Sequence, residues 1–370
     1  MEQTEHTHPV LPDRPRKGRG SVSNRTGRFE RETRQAVDDG WDLDEDEALP
    51  PLRTHLSVDA SRTIITKNES PDIPFDRSIN PYKGCEHGCV YCFARPTHAY
   101  LGLSPGLDFE SKLFFKPNAP DLLRKELSKK GYKVRPIAFG TNTDPYQPVE
   151  RDKKITRQLL EILRDFNHPF TIVTKSALIL RDLDILSEMA DKNMVSVHLS
   201  VTTLDHKLAN KLEPRASTPQ KRLEAIHRLA EAGVPVGCMA APMVPALNDM
   251  EMERIFTAAR DAGATRANYI LLRLPLEITE LFEEWLATHV PDRADHVMSL
   301  IRQCRDGQTY RSGWGTRFRG TGPYATLMSQ RFKLAMRKLG LTPERQENLD
   351  CNRFRVPPQA GDQIPLFDTE

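Results

Sequence analysis

The strict alternation of short apolar runs with helical patterns, between about residues 73 and 275, constrains the fold most. Runs rich in β-branched and apolar side chains predict strands, and segments with helical spacing lie between them. Gly131, Gly233 and Gly263 each stand between a helical pattern and the next apolar run, where a helix C-cap belongs. Because parallel strands are joined by helical crossovers, the alternation predicts an α/β fold with a parallel sheet, open or curled into a barrel. The predicted strands are 134–139, 170–174, 195–201, 234–240 and 266–272, after a first strand just before Cys85.

The end of this alternation, at about residue 277, divides the chain into three predicted regions. Residues 1–60 are charged and have few periodic apolar side chains, which predicts a disordered tail. Residues 61–276 contain the alternating core. Residues 277–370 predict a helical extension around a glycine-rich, basic loop.

The charge of the chain is concentrated near its carboxyl end. The 370 residues carry a net charge of only +2, yet residues 302–355 contain 12 basic and 4 acidic groups, a net charge of +8. This segment fits a nucleic acid bound through its phosphates, and it fits a solvated helix face equally well. The sequence shows neither a membrane-spanning stretch nor a secretory signal, so we expect a cytoplasmic protein without a membrane partner.

Three cysteines, Cys85, Cys89 and Cys92, lie within eight positions. Thiolates bind zinc and iron–sulfur clusters, and a tight thiol group in a protein that is not exported predicts such a site rather than a disulfide. Three thiolates on a cubane [4Fe–4S] cluster leave one iron free to bind a cofactor or substrate. Zinc is the alternative, in a binding module, because His87 or His98 would complete a Cys3His site.

The spacing Cys-x3-Cys-x2-Cys, with Tyr91 directly before the third cysteine, resembles the radical S-adenosylmethionine (SAM) superfamily. The resemblance covers roughly residues 75–275 and implies a partial (β/α)6 barrel of the TIM type. It implies an enzyme in which Cys85, Cys89 and Cys92 hold a [4Fe–4S] cluster and the open iron binds SAM. Reductive cleavage of SAM would give a 5′-deoxyadenosyl radical that abstracts hydrogen from a substrate. An electron donor such as flavodoxin or ferredoxin would be a partner.

The resemblance also implies SAM contacts in the loops that follow the strands, although it assigns no catalytic side chain. Tyr91, in the cluster loop, is the first of these implied cofactor contacts. Thr141 and Thr143 occupy the loop that binds the amino group of SAM in the superfamily. Lys175, at the end of the third strand, would neutralise the carboxylate, and Ser200 would bind the ribose or the carboxylate. The alternatives are a surface lysine at 175 and a structural hydroxyl at 200.

The loop Thr-Asp-Pro-Tyr-Gln-Pro at 143–148 is similar to the superfamily branch that contains spore photoproduct lyase. The cysteine segment is similar to an uncharacterised bacterial group of radical SAM proteins. The chain departs from the lyase because Phe93, not a tyrosine, follows Cys92. In addition, a hydrogen-donor cysteine is absent unless Cys238 or Cys351 folds into the site. We therefore do not expect the thymine-dimer reaction of that lyase.

Two substrate classes remain open. In the first, the substrate is nucleic acid that binds the 302–355 segment. The candidate contacts are Arg311, Arg317 and Arg319 for phosphates, and Trp314, Phe318 and Tyr324 for stacking. In the second, the substrate is a peptide or a small molecule, and the basic segment only seals the barrel.

Overall fold

Parallel strands form the centre of the protein. The computed structural model describes residues 13–30, 51–343 and 348–358. The strands are β1 (His55–Val58), β2 (Ile65–Lys67), β3 (Arg77–Ile79), β4 (Tyr82–Lys83), β5 (Lys112–Phe115), β6 (Ile137–Phe139), β7 (Phe170–Thr174), β8 (Val195–Ser200), β9 (Val236–Met243), β10 (Arg266–Leu271) and β11 (Thr342–Pro343).

The main sheet has the strand order β11-β10-β9-β8-β7-β6-β3-β2. Every neighbouring pair from β3 to β11 is parallel, and β2 alone runs antiparallel at the edge. Strand β3 and strands β6 to β10 are the six strands of the predicted (β/α)6 unit. The edge strands β2 and β11 do not pair with each other in the described part of the chain, so the barrel is partial. The predicted fold class is thus confirmed.

Helices connect the strands. They are α1 (Leu107–Ser111), α2 (Ala119–Leu127), α3 (Glu150–Lys153), α4 (Ile155–Asp165), α5 (Leu183–Asp191), α6 (His206–Leu212), α7 (Pro219–Glu231), α8 (Met252–Asp261), α9 (Ile278–His289), α10 (Ala294–Gln303) and α11 (Gly322–Leu339). Amphipathic patterns explain them: α4, for example, buries Leu159, Leu160 and Leu163 against the sheet. No helix among the described residues is long and apolar enough to cross a bilayer.

Prolines explain where two of the observed strands begin later than predicted. Strand β7 coincides with its prediction. Strand β6 begins only after Pro136, and β9 begins after Pro235, because proline has no N–H to donate to a sheet. Helix α6 and the small sheet β1-β5-β4 were not predicted, since both are short and without a marked pattern.

The carboxyl-terminal extension closes one end of the sheet. Helix α11 packs on α8, and β11 adds a parallel edge strand to β10. Side-chain bonds fix this packing: the Tyr324 hydroxyl donates to Asp249 Oδ2 over 2.6 Å, and Arg331 pairs with Glu253 over 2.6 Å. The extension is therefore a built-in layer of the fold.

The expectation of a disordered tail differs from the structure at residues 13–30 and 51–60. Residues 1–12 and 31–50 of that prediction lie outside the described part. Arg19, Ser21 and Ser23 are buried, and β1 pairs with β5. The prediction fails there because hydrogen bonds to buried polar groups, rather than apolar burial, hold the segment.

Candidate active site

The carboxyl ends of neighbouring strands bring most of the predicted site residues to one edge of the sheet. The cysteine loop follows β3 and β4, Thr141 and Thr143 follow β6, Lys175 directly follows β7, and Ser200 ends β8. Strands β3, β6, β7 and β8 are parallel neighbours, so their carboxyl ends lie together. This is the edge at which such folds place their active sites.

Two glycines shape the loop that carries the cysteines. Gly84 and Gly88 have φ angles of +77° and +68°. A Cβ at Gly84 would lie 2.5 Å from Leu113 Cδ2, and one at Gly88 would lie 2.8 Å from Glu110 Oε2. Both positions therefore require glycine for backbone angle and for space. The resulting turn buries Cys85 and Cys89 and leaves Cys92 partly exposed.

A buried arginine that the sequence analysis did not assign supports this loop from below. Arg95 donates to the carbonyls of Cys89 and Gly88 over 2.9 and 3.3 Å, and its charge is balanced by the Glu110 carboxylate. Arg95 and Glu110 are both 0% exposed. A buried ion pair of this kind fixes geometry, because either charge alone would be strongly unfavourable there. In the sequence, its only sign is an arginine three positions after Cys92.

An N-terminal strap, residues 16–30, covers the same loop from the other side. The backbone N–H groups of Gly20 and Ser21 donate to the Glu110 carboxylate over 2.9 and 2.8 Å. Gly20 lies so close to the loop that a Cβ there would be 1.7 Å from the Gly88 carbonyl oxygen. The strap is thus a wall of the candidate site.

Tyr91 belongs to a second buried network that was not predicted. Its hydroxyl donates to Glu213, which also pairs with Arg222 and accepts from Thr202 Oγ1 over 2.5 Å. Burial would raise the pKa of Glu213, but Arg222 and Lys175 outweigh burial and hold it below its ordinary value. Glu213 is therefore an anion in the interior, and its charge anchors the Tyr91 ring.

Lys175 is the cation that faces the cysteine loop. Its Nζ lies 5.8 Å from the centre of the Tyr91 ring, and its side chain has no ion pair or hydrogen bond within residues 13–30, 51–343 and 348–358. Burial lowers the pKa of Lys175, but the facing Cys89 and Glu213 raise it above its ordinary value. Lys175 thus places a charged ammonium group beside the cysteine loop.

The loop after β6 is organised by Asp144. Its carboxylate accepts from Thr174 Oγ1 over 2.7 Å and from the Lys175 N–H over 2.8 Å, and His87 lies 3.4 Å away. Burial works against ionisation, but His87 and these donors lower the pKa of Asp144 to about 2. Asp144 therefore fixes the position of Lys175 through the backbone.

The other predicted contacts are placed as follows. Thr143 is buried and donates to the Tyr82 carbonyl over 3.1 Å. Thr141 is half-buried, with Asn80 at 3.4 Å, and Ser200 is buried at the end of β8, where its carbonyl accepts from Arg222. Thr143 is thus engaged in the fold, whereas Thr141 has only a long contact. The assignment of these residues to SAM remains a prediction.

The donor set fits a cluster better than a single ion. No three His, Cys, Asp or Glu side chains in the described ranges converge closely enough to hold one metal ion. His87 pairs with Asp144, and His98 Nε2 bonds to the Lys112 carbonyl over 2.9 Å. The described part of the chain therefore contains no assembled Cys3His set. A cubane is larger than one ion and takes ligands that lie farther apart.

The two distant cysteines considered as hydrogen donors lie away from the site. Cys238 is fully buried in the middle of β9. Cys351 lies near Arg77, at the amino end of β3, while the neighbouring Asp350 bonds to Asn193 before β8. That is the opposite edge of the sheet, so neither thiol can serve the site in this structure.

The arginines expected to bind phosphate already have partners in the fold. Arg317 makes a bidentate pair with Asp72, Arg319 bonds to Asn268, and Arg311 pairs with Asp306. Of these three charges, only that of Arg317 is balanced by an acid outside residues 302–355, because Asn268 is neutral and Asp306 lies within the segment. Lys333, Arg337, Lys338 and Arg355 are exposed and form no ion pair with described residues.

An alternating stack of aromatic rings and guanidinium groups leads outward from the cysteine loop. Arg273 lies 4.6 Å from the ring centres of both Phe93 and Phe318, and Arg317 lies 4.7 Å from Phe318 and 5.0 Å from Trp314. Phe93 is 45% exposed and Trp314 61% exposed. Both ends of the stack therefore offer an open ring face.

Comparison with known proteins agrees with this arrangement. The profile of the radical SAM superfamily matches residues 79–259, which include the cysteine loop. An uncharacterised protein of Mycobacterium tuberculosis is 36% identical over 233 residues, which cover 62% of this chain and 68% of the relative. An uncharacterised protein of Methanocaldococcus jannaschii is 31% identical over 173 residues, 47% of this chain and 62% of the relative.

Solved structures of spore photoproduct lyase share the fold. A mutant of that lyase with bound AdoMet and dinucleoside spore photoproduct aligns with a TM-score of 0.56 and 16% identity, over 78% of this chain and 81% of the lyase. Another mutant of the lyase aligns over the same shares with a TM-score of 0.57 and 17% identity. At such low identity the likeness establishes the fold alone.

Proposed function

The chain belongs to the radical SAM superfamily, and from this premise we propose that it is an enzyme that cleaves SAM reductively at a [4Fe–4S] cluster held by Cys85, Cys89 and Cys92. Membership implies SAM and an iron–sulfur cluster as cofactors. The observation that carries the proposal is the glycine-shaped cysteine loop at the carboxyl edge of the sheet, beside the Lys175 ammonium, which forms no ion pair with the described residues.

Held by Cys85, Cys89 and Cys92, a reduced cluster would supply one electron for cleavage of the sulfur–C5′ bond of SAM, which would give methionine and a 5′-deoxyadenosyl radical able to abstract hydrogen from a substrate. The three thiols would bind as thiolates. Burial raises the pKa of Cys89 to about 12, so cluster assembly must displace its proton. The strap and the extension would keep water and oxygen from the site.

Lys175 would bind the carboxylate of SAM. Its ammonium is charged and unpaired in the described part of the chain, and Asp144 and the Tyr91 ring fix its position. Thr141 and Thr143 would approach the amino group, and Ser200 the ribose or the carboxylate. Tyr91, anchored by Glu213, would close the site beside Cys92.

The cluster assignment is tested by Cys89→Ala against Cys351→Ala, both reconstituted without oxygen. We expect about four irons and four sulfides per chain in the wild type. Cys351→Ala should keep this content and form 5′-deoxyadenosine with SAM after reduction, whereas Cys89→Ala should lose both. A full cluster in Cys89→Ala would refute the ligand assignment, and one zinc per chain without SAM cleavage in the wild type would favour the binding module.

The Lys175 assignment is tested by the affinity for SAM, measured calorimetrically on cluster-loaded protein. Loss of a hydrogen bond to a charged group costs about 1.5–3 kcal/mol, so Lys175→Ala should weaken binding about 10- to 100-fold. Lys192→Ala, which removes a lysine paired with Glu188 on α5, is the control and should bind normally. Equal affinities would place the carboxylate elsewhere.

For the substrate we propose a nucleic-acid strand. The supporting observation is the stack from Phe93 to Trp314, because exposed rings beside guanidinium groups are the usual platform for bases. Phosphate contacts would fall to the cations of the extension that form no ion pair with described residues, such as Lys333 and Arg337, rather than to Arg311, Arg317 or Arg319.

Binding of a labelled single-stranded oligonucleotide at several salt concentrations tests this substrate. We expect affinity to fall steeply with salt and Trp314→Ala to weaken it about 10-fold, since stacking contributes about 1–3 kcal/mol per base. Weak, salt-independent binding would favour the second class, a peptide or a small molecule. The contacts of Arg311, Arg317 and Arg319 within the fold support that class, in which the basic segment would only seal the barrel.

A further inference from the structure

A basic cavity lies against the cysteine loop. It has a volume of about 280 Å³, and His87, Tyr146, Arg151, Ser176, Arg215 and Lys221 contribute to its walls. None of the residues that line it is acidic. Three cations thus converge on one depression at the protein surface.

The positive charge of this cavity is largely uncompensated. Arg151 and Lys221 are exposed and form no ion pair with the residues that the structure describes. Among the described residues, the Arg215 side chain pairs with Glu86 at 3.2 Å. In contrast, the charge of the nearby Arg181 is balanced by ion pairs with both Glu150 and Asp182. The cavity therefore keeps a surplus of positive charge that the fold does not use.

The floor of the cavity is the cysteine loop itself. His87 lies two residues from Cys85 and two from Cys89, and its carbonyl accepts from the Arg215 N–H over 3.2 Å. A molecule seated in the cavity would touch the segment between two of the three cysteines. Electron transfer through protein weakens steeply with distance, so this is a favourable point of entry for an electron.

We propose that this cavity and its rim of Arg151, Arg215 and Lys221 are the docking face for an acidic one-electron carrier protein that reduces the cluster. The inference rests on the proposed function, because a protein without a cluster needs no such carrier. Charge complementarity favours an acidic protein, since a cationic patch of this kind steers an acidic partner and orients it. The transfer moves one electron from the reduced carrier to the oxidised cluster.

The test is the charge-reversed variant Arg151→Glu/Lys221→Glu, with Lys125→Glu/Lys130→Glu as a control of equal charge change. Lys125 and Lys130 are exposed and do not line the cavity. Formation of 5′-deoxyadenosine is measured with two reductants, an acidic bacterial flavodoxin with its reductase and the cationic methyl viologen radical. Binding of labelled flavodoxin to the cluster-free chains is measured separately at low and high salt.

We expect the cavity variant to lose at least about 10-fold in flavodoxin-dependent kcat/KM and in flavodoxin affinity at low salt, while methyl viologen supports normal turnover. The control pair should match the wild type in every assay. Flavodoxin kinetics within twofold of the wild type would overturn the proposal. So would a cavity variant that loses only oligonucleotide affinity, because the face would then bind nucleic acid. No turnover by the wild type with methyl viologen would refute the proposed function instead.

Discussion

The cysteine loop lies between two regions that are stabilised in opposite ways. Below it, the strands bury apolar side chains such as Ile172 and Leu199, which are 0% exposed. Above it, the N-terminal strap buries Arg19, Ser21 and Ser23 almost as completely. The sheet is held by apolar burial and regular backbone pairing, whereas the strap is held by hydrogen bonds, two of which meet on the Glu110 carboxylate.

This difference shows what a polar segment of the chain requires in order to be stable when it is buried. Glu110 accepts the N–H groups of Gly20 and Ser21 and balances Arg95, while Arg19 donates to the Glu110 carbonyl over 2.6 Å. Such a network is favourable only when each of its groups has a partner. The strap should therefore depend on a few residues, whereas the sheet spreads its stability over many.

Removing the shared carboxylate should have the largest effect. Glu110→Ala leaves the Arg95 guanidinium buried without its counter-ion, and loss of one partner of a buried pair costs about 3–5 kcal/mol. We expect that loss in the free energy of unfolding of the cluster-free chain, measured by urea titration. Glu231→Ala, which removes an exposed carboxylate 57% accessible to solvent, is the control and should change stability by less than about 1 kcal/mol. Similar losses in the two variants would contradict the role of Glu110.

A methyl group at the contact between the strap and the cysteine loop should move the strap away from the loop while leaving the Arg95–Glu110 pair intact. A Cβ at Gly20 cannot fit 1.7 Å from the Gly88 oxygen, so Gly20→Ala must lift the strap. We expect a cost of about 2 kcal/mol from weakened bonds to Glu110. Trypsin cleavage after the buried Arg19, which requires opening, should accelerate about 30-fold.

The control for this variant is Gly313→Ala, because a Cβ there meets only Thr316 Oγ1 at an ordinary 3.4 Å. It should leave cleavage after Arg19 unchanged. If Gly20→Ala also left cleavage unchanged, the strap would not rest on the loop as the structure describes.

The same contrast explains how far the sequence could predict the molecule. Periodic apolar runs identified strands such as β7 and placed Lys175 and Ser200 at one edge of the sheet, since parallel strands align their ends. The buried pairs Arg95–Glu110 and Glu213–Arg222 were not predicted. Each joins residues whose charges in the sequence suggest exposure, and only tertiary contact shows that the charges cancel.

A titratable side chain buried within the apolar region makes the stability of the sheet depend on pH. His168 is 0% exposed, accepts from the Tyr132 hydroxyl and donates to the Pro169 carbonyl. Burial lowers its pKa to about 4, so the folded state resists protonation. The contribution of the neutral His168 side chain to the free energy of unfolding is complete above about pH 6.5, where the unfolded imidazole is also neutral. It declines as the pH falls towards 4.

Between pH 7.5 and 5.5 this linkage should cost the wild type about 1 kcal/mol of unfolding free energy, a loss that is absent in His168→Gln. The measurement is urea unfolding at the two pH values. His227→Gln, whose ring is exposed, is the control and should keep the pH dependence of the wild type. The same pH dependence in His168→Gln and the wild type would mean that His168 is not buried in its neutral form.

The smallest effect should come from the exposed ion pairs of the strap. Arg25 bonds to Glu280 over 2.7 Å and to Glu284, but its side chain is 47% exposed and that of Glu280 is 60% exposed. Exposed pairs contribute about 0–1 kcal/mol because water screens them and their long side chains lose freedom. Arg25→Ala should therefore change cleavage after Arg19 by less than about threefold. If it accelerated cleavage as much as Gly20→Ala, surface charge rather than the buried carboxylate would hold the strap.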